Sequence, residues 1–233
     1  MCFGYSGNEL HIFEKALNWK NYYGSMLKSF LRGDVLEVGA GIGGTTKILC
    51  DGSQRRWVCL EPDRNLSILI EKKMESGLLP ACCSVQTGTI ESLAENSLFG
   101  TILYIDVIEH IENDVEELYR ATQHLAENGK LIVLAPAHQW LYSPFDKAIG
   151  HYRRYSMSML RSIVPGNLIV RRMDYLDCTG LCVSLMNKVL LRQSQPSRFQ
   201  IEYWDRYLIP ISRFFDPILG HNIGKTILGI WEK

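Results

Sequence analysis

The chain reads as an α/β fold built on a doubly wound, mostly parallel sheet, and three observations carry that reading. Short runs at 34–38, 57–60, 101–105 and 130–135 are apolar almost throughout, as strands buried on both faces are. Stretches with helical periodicity and helix-capping residues lie between them. A glycine-rich bend, Gly39-Ala40-Gly41-Ile42-Gly43-Gly44, directly follows the first run. Open sheets of this kind hold ligands at that edge.

The elements follow in order. From residue 9 to 30 the apolar residues Leu10, Phe13, Leu17, Tyr22, Met26, Leu27 and Phe30 recur at helical spacing, which predicts one or two amphipathic helices. Residues 34–38 (D-V-L-E-V) and 57–60 (W-V-C-L) are the first two strands, with a helix expected after the glycine bend. Asp63 caps a helix running to about 75, stopped by Gly77 and Pro80. Residues 83–86 make a weak third strand and 101–105 (T-I-L-Y-I) a fourth. A helix over 113–126 is expected to stop at Asn128-Gly129. The fifth strand, 130–135 (K-L-I-V-L-A), closes at Pro136, and a polar, aromatic loop runs to Tyr155. Ser156 caps a helix to 164, and 168–174 is a further strand. Residues 176–222 break the alternation, and 225–232 (K-T-I-L-G-I-W-E) reads as a closing strand.

Composition narrows the function. Lys plus Arg and Asp plus Glu both number 25, so the net charge is zero, which argues against a dedicated nucleic-acid binder. No apolar run reaches the roughly 20 residues that span a bilayer, and the N-terminus lacks the pattern of a secretory signal. The seven cysteines are an odd number, with no C-x-x-C pair, and are expected as reduced thiols of a cytoplasmic protein. The six histidines show no zinc-ligand spacing beside them, and no metal is expected.

The glycine bend suits close approach of backbone to a ligand. Glu61 follows roughly 20 residues on, where a carboxylate accepts hydrogen bonds from ribose hydroxyls. Gly39-x-Gly41-x-x-Gly44 also satisfies the dinucleotide pattern. Two acids point away from it. Glu37, just before the glycines, opposes a pyrophosphate and suits an ammonium or sulfonium, and Asp106 ends the neighbouring strand.

V-L-E-V-G-A-G-I-G at 35–43, L-E-P-D at 60–63, D-V-I-E-H at 106–110 and G-K-L-I-V-L at 129–134 occur in order and at suitable spacing. Together they resemble the motifs of the class I S-adenosylmethionine-dependent methyltransferases over about 33–175, of the small-molecule type. The resemblance implies a Rossmann-like, seven-stranded sheet with the last strand antiparallel. It implies one domain over 1–233: an N-terminal helical cap (1–32), a cofactor-binding core (33–175), a helical lid or insertion (176–222) and a closing strand (223–233). By the same likeness Gly39, Ala40, Gly41 and Gly43 approach the cofactor's methionine part with Glu37 beneath it. Glu61 holds the ribose, with Pro62 beside the adenine, and Asp106 and Val107 lie near the methionine end. Thr89-Ile90 falls where the family commonly places an Asp beside the adenine; Thr89 stands there instead.

The implied reaction is O- or N-methylation of a small-molecule acceptor by in-line displacement. His110, His138 and His151 are candidate general bases, with His221 more remote. The loop 143–155 is similar to a segment of a bacterial branch of the family whose substrates are mostly unassigned. There Arg153 and Arg154 suit a carboxylate or phosphate, and Tyr142 and Phe145 suit an apolar acceptor. Glu109, His110 and Asp114 are similar to acids and a histidine of the ubiquinone-biosynthesis O-methyltransferases, where a divalent ion is one reading and a helix-start acidic cluster the other. No N-P-P-Y-like stretch follows the fourth strand, and no nucleic-acid acceptor is expected. The amphipathic pieces of 176–222 suit a lid, a homodimer face or a peripheral membrane contact. Two rivals share the glycine bend: a non-catalytic S-adenosylmethionine-binding scaffold and a nicotinamide-dependent oxidoreductase.

Overall fold

A computed structural model of the chain describes residue 10, residues 13–186 and residues 197–233. Seven strands form one sheet in the order β3-β2-β1-β4-β5-β7-β6. They are β1 (Asp34–Val38), β2 (Arg56–Glu61), β3 (Cys83–Thr87), β4 (Phe99–Ile105), β5 (Leu125–Pro136), β6 (Ile169–Leu176) and β7 (Thr226–Glu232). β7 runs antiparallel to both neighbours, β5 and β6, as the resemblance implied. Among the described residues the helices are α1 (Leu17–Leu27), α2 (Thr46–Leu49), α3 (Arg64–Glu75), α4 (Asp114–Gln123), α5 (Pro144–Ala148), α6 (Met157–Ile163), α7 (Cys178–Met186), α8 (Arg198–Tyr203) and α9 (Ile209–Ile218).

All five residues of β1 are buried, because the sheet is covered on both faces. Alternate side chains enter opposite cores. Leu36 and Val38 join Leu60, Tyr104 and Trp231 on one face, while Val35 packs with Trp57, Cys59 and Leu103 on the other. The chain winds from β1 out to β3, then crosses to β4 on the other side of β1. Growth of the sheet therefore reverses between β1 and β4, and a crevice opens at their carboxyl ends.

Several expected boundaries move. The helix after the glycine bend is a single turn, α2, because Cys50 is already extended. α4 ends at Gln123 rather than 126. Leu125 is drawn into β5, where it pairs with Phe99 and is buried. Asn128, at φ 59°, and Gly129 then lie inside β5 and do not stop the helix. The caps hold as read: Asp63 accepts from the Asn65 amide (2.8 Å) and Ser156 from the Met159 amide (3.2 Å). Residues 1–9, 11–12 and 187–196, including parts of the expected N-terminal helices and lid, lie outside the described residues, as does Cys2. No helix among the described residues is long and apolar enough to cross a membrane.

Three buried aspartates tie the C-terminal helices to one another, and two of them, Asp205 and Asp216, tie those helices to α1. Asp205 accepts from the amides of Asn18 (3.2 Å) and Trp19 (2.8 Å), capping the start of α1. Asp216 accepts from the Asp177 (2.7 Å) and Cys178 (3.0 Å) amides at the start of α7 and from Tyr22 Oη (2.8 Å). Asp177 accepts from Ser212 Oγ (2.8 Å) and Trp204 Nε1 (2.8 Å). Asp216→Ala leaves three donors without their acceptor in a dry interface. At roughly 1 kcal/mol each, urea denaturation is expected to show a loss of about 3 kcal/mol.

Candidate active site

A cavity of about 820 Å³ occupies the crevice at the carboxyl ends of β1, β2 and β4. Its volume is within the roughly 300–1,000 Å³ of small-molecule and cofactor pockets. Gly39, Ala40, Gly41, Glu61, Pro62, Thr89, Asp106 and Val107 all line it, so eight of the cofactor candidates named from sequence converge there, together with His110, His151, Phe145 and Arg154.

The bend is shaped by steric exclusion. Gly39 (φ 65°), Gly41 (φ 57°) and Gly43 (φ 74°) all take the left-handed conformation. A Cβ at Gly39 would lie 2.6 Å from Val107 Cγ2, so this glycine lets the β1 and β4 ends meet. Gly43 sits behind the wall instead. Its missing Cβ faces Ile70 and Leu79 at 3.5 and 3.6 Å, which makes it a packing glycine. The Gly39 and Ala40 amides donate to Leu60 O, the Gly41 amide to Glu61 Oε2 (2.7 Å) and the Gly43 amide to Ala40 O. These donors are engaged within the chain, and the four-residue α2 offers little helix N-terminus. The bend is therefore poorly equipped to hold a pyrophosphate.

The carboxylates divide by role. Glu37 does not line the cavity. It is buried, accepts from Thr46 Oγ1 (2.6 Å) and Trp57 Nε1 (2.9 Å), and ties β1 to α2 and β2; burial lifts its carboxyl to about 7. Glu61 accepts from the Gly41 and Asp63 amides (2.7 and 3.0 Å) at the wall, and burial raises its carboxyl as well. Asp106 follows β4 at φ 54°, a conformation that Asp tolerates better than most residues. Its side chain is open to the cavity yet crowded by protein. That desolvation lifts its carboxyl to about 6 against the opposing pull of His151, Lys20 and Lys225. Ile90 is 1% exposed and belongs to the core rather than the wall.

A second group lies beside Asp106. Glu109 is 1% exposed, and neither carboxylate oxygen has a hydrogen-bond partner among the described residues. Burial, reinforced by Asp106, pushes its carboxyl well up, so its neutral form is favoured. His151 Nε2 lies 3.8 Å from Glu109 Oε1, and the His110 ring meets the His151 ring edge-on at 4.6 Å between centroids. Burial lowers His110 to about 4, so its ring is neutral near pH 7. Asp146 Oδ1 lies 2.9 Å from His151 Nδ1 and also pairs with Arg154 Nε (2.8 Å). Burial opposes ionisation of Asp146, but these partners outweigh it and hold the carboxyl well below the usual range. An ionised Asp146 only accepts, so Nδ1 carries a hydrogen, and Nε2 is the atom of His151 turned toward Glu109. Glu109, His110 and His151 bring ligand atoms within 4.8 Å of one another, as do the thiols of Cys50, Cys82 and Cys83, which do not line the cavity. Either set has donors suited to a metal ion.

Other residues named from sequence stand elsewhere. His138 (φ 66°) bonds to Gly224 O (2.9 Å) and stacks on Tyr175, away from the cavity. Asp114 is no neighbour of the histidines; it is held by Tyr155 Oη (2.8 Å) and Arg153 Nη1 (2.6 Å). That ion pair, with a bond to Glu112 O (2.7 Å), makes Arg153 structural. Tyr142 donates to His151 O (2.6 Å) and steadies the loop from behind, whereas Phe145 and Arg154 do line the cavity. Sequence reading missed Trp19, Lys20 and Tyr23 of α1 and Trp204 and Lys225 near the C-terminus, which complete the wall. Their one signal is polar residues, Lys20 and Lys225, next to apolar helical and strand runs.

Asp106 binds protons more tightly in the folded chain, at about 6, than an unfolded Asp does at about 4. Its contribution to stability is thus fully present at low pH and is lost as pH rises through 6. Asp106→Asn is expected to raise the melting temperature at about pH 8 and to melt with the parent chain near about pH 4.

No family model and no curated protein sequence matches the chain. Solved structures do resemble it. Coclaurine N-methyltransferase bound to N-methylheliamine and SAH superposes with a TM-score of 0.64 at 16% identity, covering 94% of this chain and 72% of that one. An S-adenosylmethionine-dependent methyltransferase from Clostridium acetobutylicum gives 0.60 at 13% identity, covering 96% and 97%. The [4+2]-cyclase SpnF gives 0.62 at 11%, covering 97% and 94%. The same architecture thus serves methyl transfer in the first two and cyclisation in the third. The chain has the Rossmann-like fold of these methyltransferases, down to the antiparallel seventh strand.

Proposed function

We propose that the protein transfers the methyl group of S-adenosylmethionine to a small-molecule acceptor. The observation that carries this reading is the combination of a glycine bend whose amides are already bonded with carboxylates at 61 and 106 facing one cavity. Such a wall opposes a phosphate and favours a nucleoside bearing positive charge. Bound there, S-adenosylmethionine supplies a methyl group already activated on a sulfonium. Glu61 would hold the ribose hydroxyls, Gly39 to Gly41 would border the methionine part, and Asp106 would face its cationic end. A nicotinamide dinucleotide suits this wall poorly for the same electrostatic reason.

The chain's own work is then alignment and proton handling. The acceptor occupies the part of the cavity beside Glu109, His110 and His151. His151, oriented through Nδ1 by Asp146, is poised to take the acceptor's proton at Nε2. Neutral His110 and the raised carboxyl of buried Glu109 keep that surrounding low in charge, and Arg154 is committed to Asp146 and keeps the orienting carboxylate ionised. Phe145, Tyr152 and Trp204 line the same space and favour an acceptor with an apolar or aromatic body.

Isothermal calorimetry is expected to show binding of both S-adenosylmethionine and S-adenosylhomocysteine, weakened about tenfold or more by Glu61→Ala through loss of charge-assisted hydrogen bonds. Binding of NADH but neither of these would overturn the proposal. With an acceptor found by transfer of labelled methyl into a metabolite extract, His151→Ala is expected to lower kcat about 100-fold while S-adenosylmethionine affinity stays within about twofold. Equal loss of both would remove His151 from proton transfer.

A further inference from the structure

Helix α9 is built inside out. Ser212 and Asp216 are fully buried, while Ile211, Phe214, Phe215 and Ile218 stand in solvent. Those four sit three, four and seven residues apart and form one apolar stripe along the helix. The polar side is buried because it caps α7 and binds Tyr22 and Asp177. The helix cannot roll its apolar side inward without stripping those partners. The stripe continues through aromatic contacts: Phe199 meets Tyr203 at 6.4 Å and Tyr203 meets Tyr207 at 5.1 Å. Phe199 is 74% exposed and Phe214 66%, far beyond the scattered apolar exposure of an ordinary surface.

The charge on this face is net positive. Arg198 pairs with Glu202 (2.8 Å), the one exposed acid of α8 and α9, while Arg206 and Arg213 are exposed with no ion pair to an acid among the described residues, and Asp205 and Asp216 turn inward. A second copy docked isologously would set this basic rim against itself. A bilayer with anionic headgroups takes both features: the aromatic and aliphatic stripe at the acyl boundary and the arginines at the phosphates.

We propose that the α8–α9 face docks the protein on an anionic lipid bilayer, lying in the interface without crossing it. Trp204, in the π-helical turn between α8 and α9, also lines the cavity, so docking sets the cavity next to the lipid surface. The proposal stands on this face alone and is independent of the reaction performed.

Co-sedimentation of the full chain with vesicles of phosphatidylcholine, alone or mixed with phosphatidylglycerol, tests it. Binding is expected to the mixed vesicles and to fall as salt rises. The double variant Phe214→Glu, Ile218→Glu is expected to bind about tenfold more weakly or not at all, with an unchanged urea transition. Arg206→Glu with Arg213→Glu is expected to lose binding to the mixed vesicles likewise. No sedimentation with the mixed vesicles, or sedimentation unaltered in both variants, overturns the proposal. So does light scattering that finds a lipid-free dimer which Phe214→Glu, Ile218→Glu converts to monomer, for the stripe is then a contact between copies.

Discussion

The contact between the end of β1 and the end of β4 governs this molecule. The two strands are neighbours because the chain reverses its winding there, and they meet only because Gly39 presents no Cβ to Val107. A side chain at Gly39 would push the strand ends apart and drag Asp106 and the Glu109-His110 turn with it. The geometry of both halves of the cavity thus hangs on one missing carbon. The energetic cost of conformations such as Asp106 at φ 54° is tolerated because the sheet beneath is buried and rigid.

Much of this was legible in the sequence, for physical reasons. A strand buried on both faces must be apolar throughout, so β1, β2, β4 and β5 announce themselves, and the acids at their carboxyl ends stand out against that background. Glu61 and Asp106 could be found this way. Glu37 shows the limit of the same logic. A carboxylate next to the glycines suggested a ligand contact, yet Thr46 and Trp57, nine and 20 residues on, satisfy it inside the fold. Which groups satisfy a buried acid is a tertiary fact. The same holds for His138 and Arg153, whose side chains suited the acceptor on chemistry alone and are spent on Gly224, Asp114 and Glu112.

The pairing of His151 with Asp146 was hidden for a different reason. Both lie in a loop without periodicity, and only the capping box at Ser143, which fixes the first turn of α5, brings Asp146 under His151. Loops without a repeat carry their information in caps and turns. Glu109 combines motif and fold. The sequence placed it after β4, but its desolvation depends on the loop from 145 to 154 closing over it.

The wall of the cavity draws on segments far apart in sequence, with Trp19 and Lys20 from α1, Trp204 from the turn before α9 and Lys225 from just before β7. Asp205 and Asp216 bolt α1 to the C-terminal helices. A nascent chain leaving the ribosome therefore exposes the glycine bend and its acids long before the chamber around them exists. The enclosure is complete only once β7 has been synthesised and threaded between β5 and β6, so a chain truncated before β7 keeps the motifs at the strand ends and lacks part of the wall around them.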